Sequence, residues 1–290
     1  MTEPQIWTPP KAANKIVKLV DAASASLGFD RFPLDVPTVA RETAKLFGWN
    51  DPITQVKAAN IKGFQGALFP NANRSEWMLL YNDDMPSPGR IRFTQAHELG
   101  HYVLHRALRE AFQCGTGDVL DWPGDDQRIE TQADIFASYL LMPINDFASQ
   151  VRGQIDLDVL SQCADRYGVS LTAAVLKWLE FTDQKAVMLV SSSGFVHWAW
   201  SSEPARKAGA YFASKRELVE VPSGSLAADE SVRIDRQGRE ISAATWFAHA
   251  DPGLSLREMK VAMDQYERVL TLLLLPRFSD YWPPRRFDRS

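Results

Sequence analysis

The chain has 290 residues, of which 45% are hydrophobic and 23% are charged, and its formal net charge is −4. This length exceeds that of a typical single domain, and the hydrophobic content is sufficient for a substantial core. The negative net charge argues against a broad nucleic-acid-binding surface, and two cysteines provide no disulfide framework. The N-terminal residues lack the apolar segment of a secretory signal, and the longest apolar run, 269–275, is too short to cross a bilayer. These features predict a soluble cytoplasmic protein without membrane partners.

Helical and extended patterns alternate in the first half of the chain. Apolar residues at helical spacing predict helices over 14–27 and 36–47. Two short segments rich in aromatic and aliphatic residues, 63–69 and 76–81, predict a β-hairpin. Further helices are expected from about Arg90 to Arg106 and from about Gln127 to Leu141, before Pro143.

The second half begins with two short helices, predicted within 157–181 and joined at Tyr167 to Ser170. After about Thr182 the pattern favours strands, which are predicted at 187–191, 195–200, 217–221, 244–248 and 259–263. We therefore predict an α+β protein with five parts: an N-terminal tail (1–12), a first domain (13–150), a helical segment (151–182), a C-terminal α+β sensing or interaction module (183–278) and a C-terminal tail (279–290).

The segment FTQAHELGHYVLH, residues 93–105, contains three of the five histidines. His97 and His101 are four residues apart, so on a helix their imidazoles point the same way and can ligate one Zn²⁺. Glu98 projects toward the same cleft and can accept a proton from a metal-activated water. The alternative is an amphipathic core helix with incidental histidines, but a chance His-Glu-x-x-His is rare. The spacing therefore predicts a zinc site with Glu98 as the catalytic base.

A catalytic zinc site needs a third protein ligand and an open fourth position. His105 lies two turns beyond His97, about 12 Å along a straight helix, so we expect it to be a packing or substrate-side residue. Glu130, at the start of the next predicted helix, is the preferred third ligand, although the helix dipole also favours a glutamate in a first turn. Asp134 is placed to accept the free N–H of a ligating histidine and to fix its tautomer.

Residues 92–101 (RFTQAHELGH) and 130–143 (ETQADIFASYLLMP) resemble the two motifs of the ImmA/IrrE family of zinc metallopeptidases. The resemblance is dense over 90–143 and extends over about 14–182. It implies a zincin-like fold with the motif helix behind a small sheet. It also implies that His97, His101 and Glu130 are zinc ligands and that Glu98 is the catalytic base. The implied substrate is a helix-turn-helix transcriptional repressor, whose cleavage switches on stress-response or mobile-element genes.

The helices within 157–181 are similar to the helix-turn-helix-like segment that follows the catalytic helices in that family. Lys177 is the only cation in the second of these helices, so packing or substrate docking is predicted and direct DNA binding is not expected. The segment 76–81 is a candidate sheet edge for binding an extended peptide. Two other functions stay open: a zinc-containing regulatory or binding protein with little or no proteolytic turnover, and a zinc hydrolase of small amides.

Overall fold

The computed structural model describes residues 7–60, 63–85, 87–108, 112–115, 124–214, 216–263 and 266–283. The chain forms two compact units, residues 1–150 with 163–170, and residues 151–162 with 171–290. Helices and β-sheet occur in both units, which confirms the predicted α+β class. The five-part division of the chain stays a prediction. Within the described ranges, no helix has both the length and the apolar content needed to cross a membrane.

The first unit begins with two helices, α1 (Pro9–Leu27) and α2 (Val36–Phe47). Both helices end at a glycine in the left-handed conformation, with φ of 73° at Gly28 and 71° at Gly48. Helix α1 begins earlier than expected, because Pro9 and Pro10 occupy its first turn, where proline is favoured. Part of the predicted N-terminal tail is therefore helical, and residues 1–6 lie outside the described residues.

A four-stranded sheet follows, with strands β1 (Ile53–Ala58), β2 (Phe64–Pro70), β3 (Trp77–Tyr81) and β4 (Phe112–Gly115) in the order β1-β3-β2-β4. Strands β2 and β3 are antiparallel, with Leu68 opposite Leu79, which confirms the predicted hairpin. The prediction missed β1, which buries only one of its six residues, and β4, which has only four residues. Neither strand has enough apolar alternation to be recognised in the sequence.

Strand β3 pairs with β1 on one side and with β2 on the other. The hypothesis that residues 76–81 form a sheet edge is therefore wrong. Strands β1 and β4 lie at the two ends of the sheet. The error arose because β1 pairs in parallel with β3 and is not adjacent to it in sequence.

Three helices complete the main part of this unit: α3 (Pro88–His105), α4 (Gly124–Leu141) and α5 (Ile144–Gln150). Helices α3 and α4 approach closely at Gly100, where a Cβ atom would lie 3.0 Å from Phe136 Cδ1 and 3.2 Å from the Ala133 carbonyl oxygen. Ala133, which lies at this contact, is fully buried. Small residues on both helices thus allow the side chains near the start of α4 to reach the histidines of α3.

The predicted pair of short helices is confirmed as α6 (Leu157–Tyr167) and α7 (Leu171–Phe181). Gly168 separates them with a φ of 59°. The guanidinium group of Arg92, on the first turns of α3, donates a hydrogen bond to the carbonyl oxygen of Gly168. A Cβ at position 168 would lie 2.2 Å from Arg92 Nη1. Glycine is therefore required here both by the backbone conformation and by the space that Arg92 occupies.

The second unit contains a six-stranded antiparallel sheet in the order β7-β6-β5-β10-β9-β8. Its elements are β5 (Ala186–Ser192), β6 (Phe195–Ser201), α8 (Glu203–Lys207), β7 (Val219–Glu220), β8 (Ile234–Ser242), β9 (Ser255–Met263) and β10 (Arg268–Leu274). The predicted hairpin of β5 and β6 and the predicted strand β9 are confirmed. Strand β8 was missed because it is a polar edge strand with an irregular register, and β10 because its apolar run shows no alternation.

The strand predicted at 244–248 is wrong. This segment begins in a short 3-10 helix, Ala243–Thr245, and continues in a turn. Trp246 is buried there and donates from Nε1 to Glu258 Oε2 at 3.1 Å, so the segment packs onto the sheet as a cover. Within the predicted C-terminal tail, Tyr281 is buried and its ring lies 4.6 Å from that of Phe247. Residues 284–290 lie outside the described residues.

Candidate metal centre

Two imidazoles of α3 and one carboxylate of α4 converge in the first unit. His97 Nε2 lies 2.9 Å from His101 Nε2 and 3.0 Å from Glu130 Oε2, and His101 Nε2 lies 3.4 Å from Glu130 Oε1. All three side chains are buried. In the part of the chain that the structure describes, they form the group that could hold a metal ion. The structure thus brings together the three residues that the sequence nominated.

The spacing and the chemistry of this group fit a metal ion. Bonds of about 2.0–2.2 Å to a tetrahedral ion place the ligand atoms about 3.3–3.5 Å apart, so shifts of a few tenths of an ångström suffice. Two histidines and one glutamate are also the donor set of a common class of catalytic zinc sites. Together, the buried cluster and its ligand atoms indicate a metal ion at this position.

The protonation states of two of these groups suit ligation. Burial is the main cause that lowers the pKa of His101 to about 4, so its ring is neutral at pH 7. For Glu130, burial raises the pKa, but the adjacent rings of His101 and His97 lower it by more and hold it far below the usual value. A neutral imidazole and an ionised carboxylate are the forms that bind metal ions.

Asp134, one turn after Glu130 on α4, contacts the other ring nitrogen of His97. The distance from His97 Nδ1 to Asp134 Oδ1 is 2.8 Å. A carboxylate oxygen can only accept, so Nδ1 carries the proton and Nε2 keeps its lone pair toward the cluster. The contact predicted for Asp134 is confirmed, and it orients the ring of His97.

Glu98 is fully buried beside the cluster, where α3 packs against β2. The space for its carboxylate exists because position 66 of β2 is glycine. A Cβ on Gly66 would lie 2.6 Å from Glu98 Oε1 and 2.7 Å from Thr94 Cγ2. The sequence reasoning missed Gly66, although a glycine inside a strand pattern signals a close approach of another group.

His105 is buried but lies outside the three-residue group. Its Nδ1 is 3.2 Å from His101 Nδ1, and its Nε2 is 2.8 Å from Gln132 Oε1. The ring of Phe112, the first residue of β4, stacks on the ring of His101 at 4.6 Å. Sequence reasoning missed both Gln132 and Phe112, because neither belongs to a pattern of recognisable chemistry. His105 thus packs against a candidate ligand, in agreement with the first of the two roles expected for it.

Residues 51–179 match the family model of the M78 peptidases, which is described as the IrrE N-terminal-like domain. This part of the chain belongs to the ImmA/IrrE family. The matched range contains α3 and α4 and therefore the whole candidate metal centre. The family is one of metallopeptidases with a zincin-like fold, so the family and the fold expected from the motifs are confirmed.

Similarity beyond the ImmA/IrrE domain is remote. A solved structure of a Mycobacterium tuberculosis transcriptional regulator is similar over 93% of this chain and 82% of that chain, with a TM-score of 0.50 and 12% sequence identity. At this identity the similarity concerns the fold alone. No curated protein matches the sequence.

Proposed function

We propose that this protein is a zinc-dependent endopeptidase, with His97, His101 and Glu130 as zinc ligands and Glu98 as the general base. The proposal is supported by the convergence of the three side chains, whose ring nitrogens and carboxylate oxygens approach one another to 2.9–3.4 Å beside the buried Glu98. Within the described residues, three protein ligands meet here, and a site of three ligands leaves a position for water or substrate. A purely structural zinc site usually has four protein ligands.

Each residue of the centre has a part in hydrolysis. When bound, zinc polarises the substrate carbonyl and brings the pKa of water toward about 7. Asp134 keeps the proton of His97 on Nδ1, so that Nε2 faces the centre. Glu98, held in the space beside Gly66, accepts a proton from the attacking water and delivers it to the leaving amine. Because Glu98 is buried, exchange of its proton with bulk water is limited.

An extended peptide substrate would bind along β4. This strand is at the end of the sheet next to β2, and its residue Phe112 contacts the ring of His101. Main-chain pairing with such an edge lays a peptide straight along it, and here the peptide would pass the metal centre. We therefore propose β4 as the peptide-binding edge instead of β3, because β3 is paired on both sides within the sheet.

The proposed substrate is a helix-turn-helix transcriptional repressor. Support comes from the motifs that this chain shares with the ImmA/IrrE family, whose domain model matches residues 51–179. Cleavage of such a repressor would act in the cytoplasm and switch on the repressed genes. Direct DNA binding by this chain is not part of the proposal.

Incubation with a helix-turn-helix repressor encoded beside this gene tests the proposal. The zinc-loaded wild type is expected to cut the repressor at one site, whereas Glu98→Gln is expected to bind zinc equally and cut at least about 1,000-fold more slowly. Cleavage by both proteins, or by neither, would favour the alternative function, in which this chain is a zinc-containing regulatory protein with little or no proteolytic turnover. Hydrolysis of short amides without cleavage of the repressor would favour the small-amide hydrolase.

A further inference from the structure

Neighbouring groups determine which ring nitrogen, Nδ1 or Nε2, carries the proton in each imidazole near the centre. A ring that ligates through one nitrogen carries its proton on the other nitrogen. His101 faces His97 and Glu130 through Nε2, so its proton lies on Nδ1. That Nδ1 is 3.2 Å from Nδ1 of His105, which therefore has to be the acceptor.

The same logic continues to helix α4. With Nδ1 unprotonated, the neutral ring of His105 carries its proton on Nε2, 2.8 Å from Gln132 Oε1. The amide oxygen accepts this proton. If the amide nitrogen of Gln132 were turned toward His105 instead, the proton of His105 would move to Nδ1. Two N–H groups would then face each other between His105 and His101, and the ligating tautomer of His101 would lose its acceptor.

We propose that Gln132 and His105 are positioning residues that fix the tautomer of His101 and thereby set the zinc affinity of the centre. The inference rests on the proposed metal site. The order of donation is His101 Nδ1–H to His105 Nδ1, then His105 Nε2–H to Gln132 Oε1.

Burial makes this order important. His101 is 0% exposed and His105 is 2% exposed, and the ring of Phe112 packs against both rings. A misdirected N–H in such surroundings has no access to bulk water as a substitute acceptor. The hydrogen bonds therefore select one tautomer of each ring.

The two candidate ligand histidines are oriented by different chemistry. His97 contacts the carboxylate of Asp134, whose side chain is 49% exposed. His101 contacts a neutral imidazole in the interior. A second carboxylate at the position of His105 would add a negative charge to a buried region that already contains Glu98 and Glu130. A neutral pair supplies the acceptor without that charge.

Zinc affinity, measured by competition with a chromophoric chelator, tests the inference independently of peptide cleavage. His105→Leu removes the acceptor and is expected to weaken zinc binding about 10–100-fold. His105→Asn places an amide oxygen near the position of Nδ1 and is expected to restore most of the affinity. Gln132→Lys presents a donor to His105 and is expected to weaken binding, whereas Thr131→Lys adds the same charge on the neighbouring exposed residue and is expected to leave it unchanged.

Ring-nitrogen spectra of the zinc-loaded wild type provide a second readout. Long-range ¹H–¹⁵N correlations are expected to show that His105 is protonated at Nε2 and unprotonated at Nδ1. Protonation at Nδ1, or unchanged zinc affinity in His105→Leu, would overturn the inference while leaving the metal site standing. A failure of His105→Asn to bind more tightly than His105→Leu would also overturn it. A folded wild type that binds no zinc would refute the metal site and this inference together.

Discussion

A methyl group at position 66 tests how closely Glu98 is held against β2. A Cβ on Gly66 would lie 2.6 Å from Glu98 Oε1, 2.7 Å from Thr94 Cγ2 and 3.0 Å from Glu98 Cγ. Ordinary contacts require about 3.5 Å, so the carboxylate of Glu98 has to move by roughly 1 Å. A displacement of this size costs about 100-fold in rate when it misplaces a catalytic group. We therefore expect Gly66→Ala to lower kcat/KM about 100-fold while zinc binding persists.

The assay combines three measurements on the same protein samples: repressor cleavage, zinc content and the unfolding midpoint. Overpacking costs about 1–3 kcal/mol of stability, so rates are compared at a temperature where both proteins are folded. Gly224→Ala is the matched control, because the nearest heavy atom to a Cβ there is Thr245 Cγ2 at 3.8 Å. Full activity of Gly66→Ala would refute the reasoning. If Gly66→Ala lost zinc in proportion to activity, the substitution would be disrupting the whole metal centre and not only the position of Glu98.

Three further substitutions test other contacts. Asp134→Asn weakens the acceptor for His97 Nδ1–H, so chelator competition is expected to show about 10-fold weaker zinc binding, and unchanged affinity would contradict the orienting role. Gly168→Ala is strained at a φ of 59°, and its methyl group would collide with Arg92, so denaturant unfolding is expected to show a loss of at least about 1 kcal/mol. An unchanged midpoint would contradict this. Burial raises the pKa of Asp146, but the hydrogen bonds from Arg166 and Tyr167 outweigh this effect. The pKa of Asp146 is therefore below its usual value. Such a carboxylate stabilises the fold above the unfolded-state pKa of about 3.9 and loses this contribution as the pH falls through the lower folded-state value. Asp146→Asn is therefore expected to cost about 1 kcal/mol at pH 7, a modest figure because the pair is partly exposed. Unfolding curves at acidic pH should show this difference shrinking, and a constant difference would contradict the assignment.

Local patterns in the sequence were sufficient for several parts of this protein. The positions of His97 and His101 on one helical face follow from a spacing of four residues. The hairpin of β2 and β3 and the pair α6 and α7 follow from short-range periodicity and turn residues. Glu130 was nominated because it lies at the start of the next predicted helix, and the resemblance to the ImmA/IrrE motifs implied the same residue. The distance between the two helices is not a local property, so their approach could only be assumed.

Tertiary structure decided which groups meet across elements. Strand β3 became central because β1 pairs with it in parallel, and no local signal encodes a partner that is distant in sequence. Position 66 required glycine because α3 packs Glu98 onto that strand. Gln132 and Phe112 became neighbours of the histidines only when α4 and β4 closed around α3. Chemistry carried by single residues at a fixed helical spacing can be read from the chain. The contacts that orient those residues depend on the packing of segments that are distant in the chain. The local sequence pattern of one such segment does not indicate which other segment it will contact.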